Sequence, residues 1–295
     1  MSYVERSRVA VLGAGLLGID LAERLARSPS MSCVLVAGRR AGAAGLRQAQ
    51  ALGLETSAAG LEAVLAAKPD VVFDASSAPA HLAHAPELIR AGALVVDLTP
   101  SGTGAMVVPT VNGVQAEQHY LSLVSCGGQA ALPVLDALTR FTGAAPGYAE
   151  VVTTAASATV GPASRDNLDE YIDATGRLVT GLVGAPRAKV LVNISPARPA
   201  PVFRTRVTAL VPGPPLPQGP LHAALGEAAD AVRAFAPGYR VEDCRLERGQ
   251  VRVSVAVTAT SGTFVKPYAG NVELINAAAV LVAERHLAAR KAVRP

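Results

Sequence analysis

The run Val9-Ala10-Val11-Leu12 passes directly into Gly13-Ala14-Gly15-Leu16-Leu17-Gly18, and that glycine turn opens an Ala/Leu-rich amphipathic stretch ending at Arg27. A short, continuously apolar run reads as a strand buried on both faces, and the stretch after the turn carries helical periodicity. In a strand-turn-helix setting each glycine has a separate job. Gly13 permits the tight turn, Gly15 lets a pyrophosphate approach the backbone, and Gly18 lets helix and strand pack closely. The chain is therefore expected to begin as a β-α-β unit holding a dinucleotide at a helix N-terminus.

The pattern repeats through the first 125 residues. Strands are expected at Val9–Leu12, Cys33–Ala37, Val71–Asp74, Leu94–Leu98 and Leu121–Val124, with helices at Leu16–Arg27, Ala43–Leu52, Leu61–Ala67 and Ala80–Ala91. Alternating strands and helices of this kind form a parallel sheet covered on both faces. From about Tyr148 the texture changes: Val251, Val253, Val255 and Val257 alternate with Arg252, Ser254, Ala256 and Thr258, a period of two that marks a half-exposed strand. Further strands are expected at Ala149–Thr154, Val190–Ile194 and Val202–Leu210, helices at Asn167–Leu182 and Leu221–Phe235, and a last helix from Val272 to Leu287 that returns to the first domain.

The fold class is thus α/β: an N-terminal Rossmann-type parallel sheet with a second α+β domain, for substrate and dimerisation, built on a mixed or antiparallel sheet. With 295 residues the chain is long enough for both. Expected limits are 1–128 plus the C-terminal helix 270–295 for the dinucleotide-binding domain, and 129–269 for the second.

Lys and Arg outnumber Asp and Glu by 27 to 23, without basic blocks, so the charge pattern speaks against a nucleic-acid partner. No continuously apolar stretch is long enough to span a bilayer, and the N-terminus lacks a clean cleavage site, so a cytoplasmic chain with no membrane association is expected. Cys33, Cys126 and Cys244 are odd in number and widely spaced, which argues for reduced thiols and against a structural metal.

Where dinucleotide-binding folds read the adenosine ribose, this chain has Gly38-Arg39-Arg40 and no carboxylate. An acidic residue there suits NAD, whereas an arginine accommodates the 2′-phosphate of NADP. Arg39 and Arg40 are candidates for that contact, and the choice of NAD or NADP stays open.

Cys126 lies in Ser125-Cys126-Gly127-Gly128-Gln129-Ala130, after a strand and at a helix start. That is where ligands meet open parallel sheets. A helix N-terminus lowers a thiol's pKa and presents N–H groups to an oxyanion. Cys126 is read as a nucleophile, with room for substrate left by Gly127 and Gly128 and oxyanion donors in their N–H groups. Cys33 and Cys244 are read as inert. His81 and His84, one turn apart, are read as exposed or capping residues, and Asp74 and Asp97 as strand-end residues that orient loops. Asn167-Leu168-Asp169-Glu170 is read as a capped helix start.

Together these segments resemble the acylating acetaldehyde dehydrogenases. The resemblance rests on the glycine turn, Val72–Ala78 with Ser76, Asp97-Leu98-Thr99-Pro100, Val108–Asn112, Ser125–Ala130, Gly161-Pro162-Ala163-Ser164-Arg165-Asp166-Asn167, Pro237–Arg240 and Tyr268-Ala269-Gly270-Asn271, and covers nearly the whole chain. It implies that Cys126 carries an acyl thioester within the Cys126, Gly127, Gly128, Gln129 motif. It also implies cofactor contacts at Ala14, Leu16, Leu17, Ser76, Thr159, Gly161, Pro162, Ser164, Asn167 and Asn271. The reaction implied converts a short aldehyde, NAD or NADP, and coenzyme A into acyl-CoA and reduced cofactor, or the reverse, without a metal. A homodimer is implied, and in this family a 4-hydroxy-2-oxovalerate aldolase is a common partner.

The sequence departs from the family pattern in three places. Thr205 follows Arg204 where an aspartate would assist the cysteine, Arg39-Arg40 replaces an acidic segment, and the stretch between Tyr239 and Gly262 is short. Two other readings compete with the acylating one: a phosphorylating semialdehyde dehydrogenase, and a dinucleotide-binding homologue with little turnover.

Overall fold

The computed structural model describes residues 6–113 and 117–293, with side chains to residue 290. Met1–Glu5 and the last two residues, which the expected domain limits include, lie outside the described residues.

The first sheet contains β1 (Ser7–Leu12), β2 (Met31–Ala37), β3 (Thr56–Ser57), β4 (Val71–Asp74), β5 (Leu94–Asp97), β6 (Ala105–Met106) and β7 (Tyr120–Ser122). Its order is β3-β2-β1-β4-β5-β7-β6, and every pairing is parallel. Helices α1 (Leu16–Ala26), α2 (Ala44–Ala51), α3 (Leu61–Ala67) and α4 (Ala78–Arg90) make the crossovers. Val9, Val11, Val71, Phe73, Leu94 and Val96 face one apolar core, and Ala10, Leu12, Val72 and Val95 face another. Both faces of the sheet are buried, which is why these strands read as continuous apolar runs.

The second sheet has the order β11-β12-β10-β8-β9. Its strands are β8 (Tyr148–Ala156), β9 (Ala188–Ser195), β10 (Phe203–Leu210), β11 (Tyr239–Glu247) and β12 (Gln250–Val257). The β8–β9 pair is parallel and the others antiparallel, so the sheet is mixed. Helices α5 (Cys126–Thr142), α6 (Pro162–Asp166), α7 (Leu168–Val183) and α8 (Gln218–Arg233) belong to this half, and α5, α7 and α8 share one apolar core with the sheet. In β10, Phe203, Thr205 and Val207 are buried while Arg204 and Arg206 are exposed, so one face of this sheet stands open.

Two elements tie the halves together. Helix α5 begins at Cys126, which packs against both cores, and from Ala130 onward runs in the second. Helix α9 (Gly270–Val293) contributes Leu274 and Ala277 to the second core and Ile275, Ala278 and Val282 to the first. Its Asn276 Nδ2 donates to Leu17 O at 2.9 Å and to Asp20 Oδ2 at 2.8 Å, and its Glu273 meets Arg24 at 2.6 Å. The last helix thus bonds directly to the helix that follows the glycine turn. Among the described residues no helix is long and apolar enough to cross a membrane.

Candidate active site

Gly13 has φ +115°, and a Cβ there would lie 2.4 Å from Ala75 O, so the turn closes only with glycine against the end of β4. A Cβ on Gly18 would sit 1.8 Å from Gly13 O, which is the close helix–strand packing expected of the third glycine. Gly15 meets nothing within 4 Å and is exposed. The first turn of α1 therefore offers an open backbone surface of the kind a phosphate can approach.

Ser76, after β4, lies against this turn, and at the start of α9 the buried Asn271 Oδ1 has no hydrogen-bond partner among the described residues. Native proteins pair such atoms, so the orphaned Asn271 oxygen fits a bound polar ligand. Asn271 Nδ2 donates to Thr159 O at 3.3 Å, and Asn167 Oδ1 accepts from Ala78 N at 3.1 Å. The second half is thereby brought against the strand ends of the first. The expectation that Asn167 caps its own helix is corrected: it precedes α7 without a capping bond because its side chain is committed to the β4–α4 loop. Gly161, Pro162 and Ser164 are exposed on the short α6 turn, and Arg39 and Arg40 are exposed beyond β2.

Cys126 is presented by a strained turn. Ser125 N donates to Leu123 O at 2.8 Å, closing a γ-turn around Val124, which has φ +61°. A β-branched residue there is a genuine outlier, and such strain persists only where the surroundings enforce it. Gln129 enforces it from below, donating through Nε2 to Val107 O at 2.7 Å and to Leu123 O at 2.9 Å. Gln129 thus acts as a brace for the turn. Ser125 caps α5, its Oγ accepting from Gly128 N at 3.0 Å and lying 2.6 Å from Thr175 Oγ1.

The two glycines after Cys126 are there for packing. A Cβ on Gly127 would come 2.4 Å from Tyr171 Oη and 2.5 Å from Thr153 Oγ1, and one on Gly128 would come 2.8 Å from Leu178 Cδ2. The space expected for substrate is filled by these side chains. The expected oxyanion donors are also engaged: Gly127 N donates to Tyr171 Oη at 2.9 Å and Gly128 N to Ser125 Oγ. Burial pushes the Cys126 thiol up, against hydrogen bonds from Tyr171, Gly127 N–H and its own N–H, so the expected lowering by the helix terminus is outweighed. Cys33 is also pushed up by burial, to about 11, and Cys244 upward by burial and by Asp243.

A second polar cluster lies behind the strand ends. Asp74 and Asp97 are register partners on β4 and β5, and both are fully buried. His81, also fully buried, reaches Asp74 Oδ2 with Nδ1 at 2.9 Å and Tyr120 Oη with Nε2 at 2.6 Å, while His84 Nδ1 lies 3.3 Å from Asp74 Oδ2. His81 is not the exposed or capping residue expected; two neighbouring carboxylates favour a cation between them. Burial would lower its pKa, but Asp74 and Asp97 together raise it. Each aspartate also holds its loop, Asp74 Oδ1 accepting from Ser76 N and Asp97 Oδ1 from Thr99 N.

Sequence reasoning missed Tyr171, Thr153, Thr99 and the role of His81. Tyr171, Thr175 and Leu178 share one face of α7, at helical spacings of four and three, and that face lies against Ser125, Cys126 and Gly128. The spacing was a usable signal.

Two family descriptions match consecutive parts of the chain: "Semialdehyde dehydrogenase, NAD binding domain" over residues 8–119, and "Prokaryotic acetaldehyde dehydrogenase, dimerisation" over residues 126–265. The chain is 51% identical over 288 residues to an acetaldehyde dehydrogenase of Streptomyces griseus, covering 97% of this chain and 92% of that one. To an acetaldehyde dehydrogenase of Chloroflexus aurantiacus it is 36% identical over 294 residues, covering 95% of each. Among solved structures, the fold is similar to aspartate semialdehyde dehydrogenase with NADP from Candida albicans (TM-score 0.69, 15% identity, 98% of this chain and 100% of that one). It is also similar to aspartate semialdehyde dehydrogenase II from Vibrio cholerae (TM-score 0.66, 16% identity, 96% and 99%).

Proposed function

Because this chain belongs to the acetaldehyde dehydrogenase family, we propose that it is a CoA-acylating aldehyde dehydrogenase that works through a thioester on Cys126. The single observation that carries the reading is the strained Val124 turn, which holds Cys126 at the start of α5 beside the strand ends. Strain of this kind is retained where it positions a reacting group.

In the oxidising direction Cys126 adds to the carbonyl carbon of a short aldehyde, forming a C–S bond. NAD or NADP, when bound, supplies the hydride acceptor. Loss of hydride from the former aldehyde carbon leaves an acyl thioester on Cys126. The coenzyme A thiol attacks it, the Cys126 C–S bond breaks, and the cysteine is restored. Gly13, Gly15 and the first turn of α1 would hold the pyrophosphate, and Ser76 beside the turn and the unpartnered Asn271 oxygen would meet the rest of the cofactor. The exposed Arg39 and Arg40, with no acidic residue in their segment, favour NADP over NAD.

The open face of the second sheet supports a homodimer. Arg206, Val152 and Leu191 lie in one row across β10, β8 and β9, with Leu191 and Leu210 both exposed. Light scattering at micromolar concentration should read twice the chain mass.

The neutral surroundings of Cys126 favour one competing reading, a binding homologue with little turnover. Absorbance of reduced cofactor decides between them, using purified protein with acetaldehyde or propanal, NAD or NADP, and coenzyme A present or absent. CoA-dependent reduction that disappears in Cys126→Ser supports the acylating reading. Cofactor binding without turnover supports the homologue.

A further inference from the structure

The proposed reaction needs a sulfur that can carry negative charge, yet no charged group acts on Cys126 among the described residues. What touches it is a hydroxyl. Tyr171 Oη lies 3.6 Å from Cys126 Sγ. A phenol oxygen carries one proton and two acceptor sites. Gly127 N–H donates to one of those sites at 2.9 Å, and Thr153 Oγ1 lies on the same side, since a Cβ on Gly127 would meet Tyr171 Oη at 2.4 Å and Thr153 Oγ1 at 2.5 Å. Thr153 Oγ1 in turn lies 3.4 Å from Thr205 Oγ1, and both threonines are buried to 1% exposure.

When the sulfur is a thiolate, one arrangement gives each of the Tyr171, Thr153 and Thr205 hydroxyl protons an acceptor. Thr205 donates to Thr153, Thr153 to Tyr171, and Tyr171 to Cys126 Sγ. Both acceptor sites of Tyr171 are then filled, and its proton has the sulfur as acceptor. The position of Thr205 fits this row, since a hydroxyl continues a chain of donors without adding a second negative charge near the sulfur.

We infer that Tyr171 is a catalytic group of this enzyme, the donor that stabilises Cys126 as a thiolate, and that Thr153 and Thr205 are positioning residues that aim its proton. The inference rests on the cysteine chemistry proposed above. Tyr171 does not act as a base: burial, and then the neighbouring thiol, push its own pKa far above the ordinary phenol range, so it keeps its proton while it donates.

Alkylation of Cys126 by iodoacetamide, followed by the mass of its peptide in the full-length protein over a pH series, reads the thiolate directly and needs neither aldehyde nor coenzyme A. Tyr171→Phe is expected to move the rate–pH profile upward by about one unit, so that alkylation below the inflection slows about tenfold. Thr153→Val should move it the same way by less, and it provides the test if Tyr171→Phe does not fold. A purely structural role would lower the melting temperature and leave the profile in place. An unchanged profile in folded Tyr171→Phe, or in Thr153→Val if the phenylalanine variant does not fold, overturns the inference. Failure of the acylating reading would appear elsewhere, as missing CoA-dependent turnover in the unaltered protein.

Discussion

Two polar clusters differ in charge: one lies at the carboxyl edge of the first sheet, and the other joins the start of α5 to α7 and the second sheet. One is ionic: Asp74, Asp97 and His81, none of them solvent-exposed, with Tyr120 bonded to the histidine. The other contains no ionised group: Cys126, Tyr171, Thr153 and Thr205, with Ser125 and Thr175 beside them. The ionic cluster holds backbone, since each aspartate accepts an N–H from the loop that follows its strand. The neutral one surrounds the atom proposed to react. Charge placed beside the sulfur would fix its protonation state, whereas hydroxyls can follow it between thiol, thiolate and thioester by rotating a proton. The contrast separates scaffolding in the first sheet from chemistry where the two halves meet.

The comparison breaks most visibly at His81. Removing one partner from a buried ionic group leaves an uncompensated charge, so His81→Ala is expected to cost about 3–5 kcal/mol in urea denaturation at neutral pH. The pH dependence follows from the shifts. Asp97 is raised by burial, with His81 opposing, to about 6 from 3.8; its stabilising contribution is complete below 3.8 and is lost as pH rises through about 6. His81 is raised above 6.5, so its contribution is present below 6.5 and fades as pH climbs through its folded value. Asp74 is lowered to about 2, burial being outweighed by the two histidines, and its contribution is lost as pH falls from 3.8 toward that value. The three contributions are therefore jointly largest near pH 4, where that of Asp74 is complete and those of Asp97 and His81 have not begun to fade, and stability should decline from there toward neutrality. His81→Gln should lose the decline above 6.5; a variant that keeps the decline would place its origin outside this cluster.

Gly127→Ala should have a smaller effect on stability and a larger one on reactivity. The new Cβ would press on Tyr171 Oη and Thr153 Oγ1, both held by hydrogen bonds, and overpacking of this kind costs about 1–3 kcal/mol. Displacing Tyr171 from the sulfur should also slow Cys126 alkylation about as much as Tyr171→Phe does. Normal alkylation in a folded Gly127→Ala protein would show that the two oxygens can yield without consequence for the thiol.

The legibility of these regions in the sequence follows the range of the interactions that build them. The glycine turn and the position of Cys126 depend on contacts within a few residues, so spacing was enough to find them. Strand β11 was missed because a bulge between Val241 and Asp243 breaks its alternation. His81 was misread because a histidine on an Ala-rich helix looks solvated until β5 brings Asp97 beside Asp74. Gly127 and Gly128 were read as room for substrate because a glycine signals a missing side chain, and the sequence does not say what fills the gap. Here it is Tyr171, 44 residues further along the chain.

The smallest expected effect is the sharpest on the neutral cluster. Thr205→Val replaces a buried hydroxyl by a methyl of similar shape and removes only the long 3.4 Å contact with Thr153. A hydrogen bond at that length contributes little, and the methyl gains apolar burial, so stability should change by less than about 1 kcal/mol. If Thr205 serves only packing, alkylation of Cys126 should be equally indifferent. If it starts the donor chain, the rate–pH profile should move upward by a fraction of the Tyr171→Phe shift while the melting temperature stays put. That separation would assign the threonine to the sulfur, at the far end of the proposed donor row, because a packing residue has no means of shifting a thiol's titration without shifting the fold.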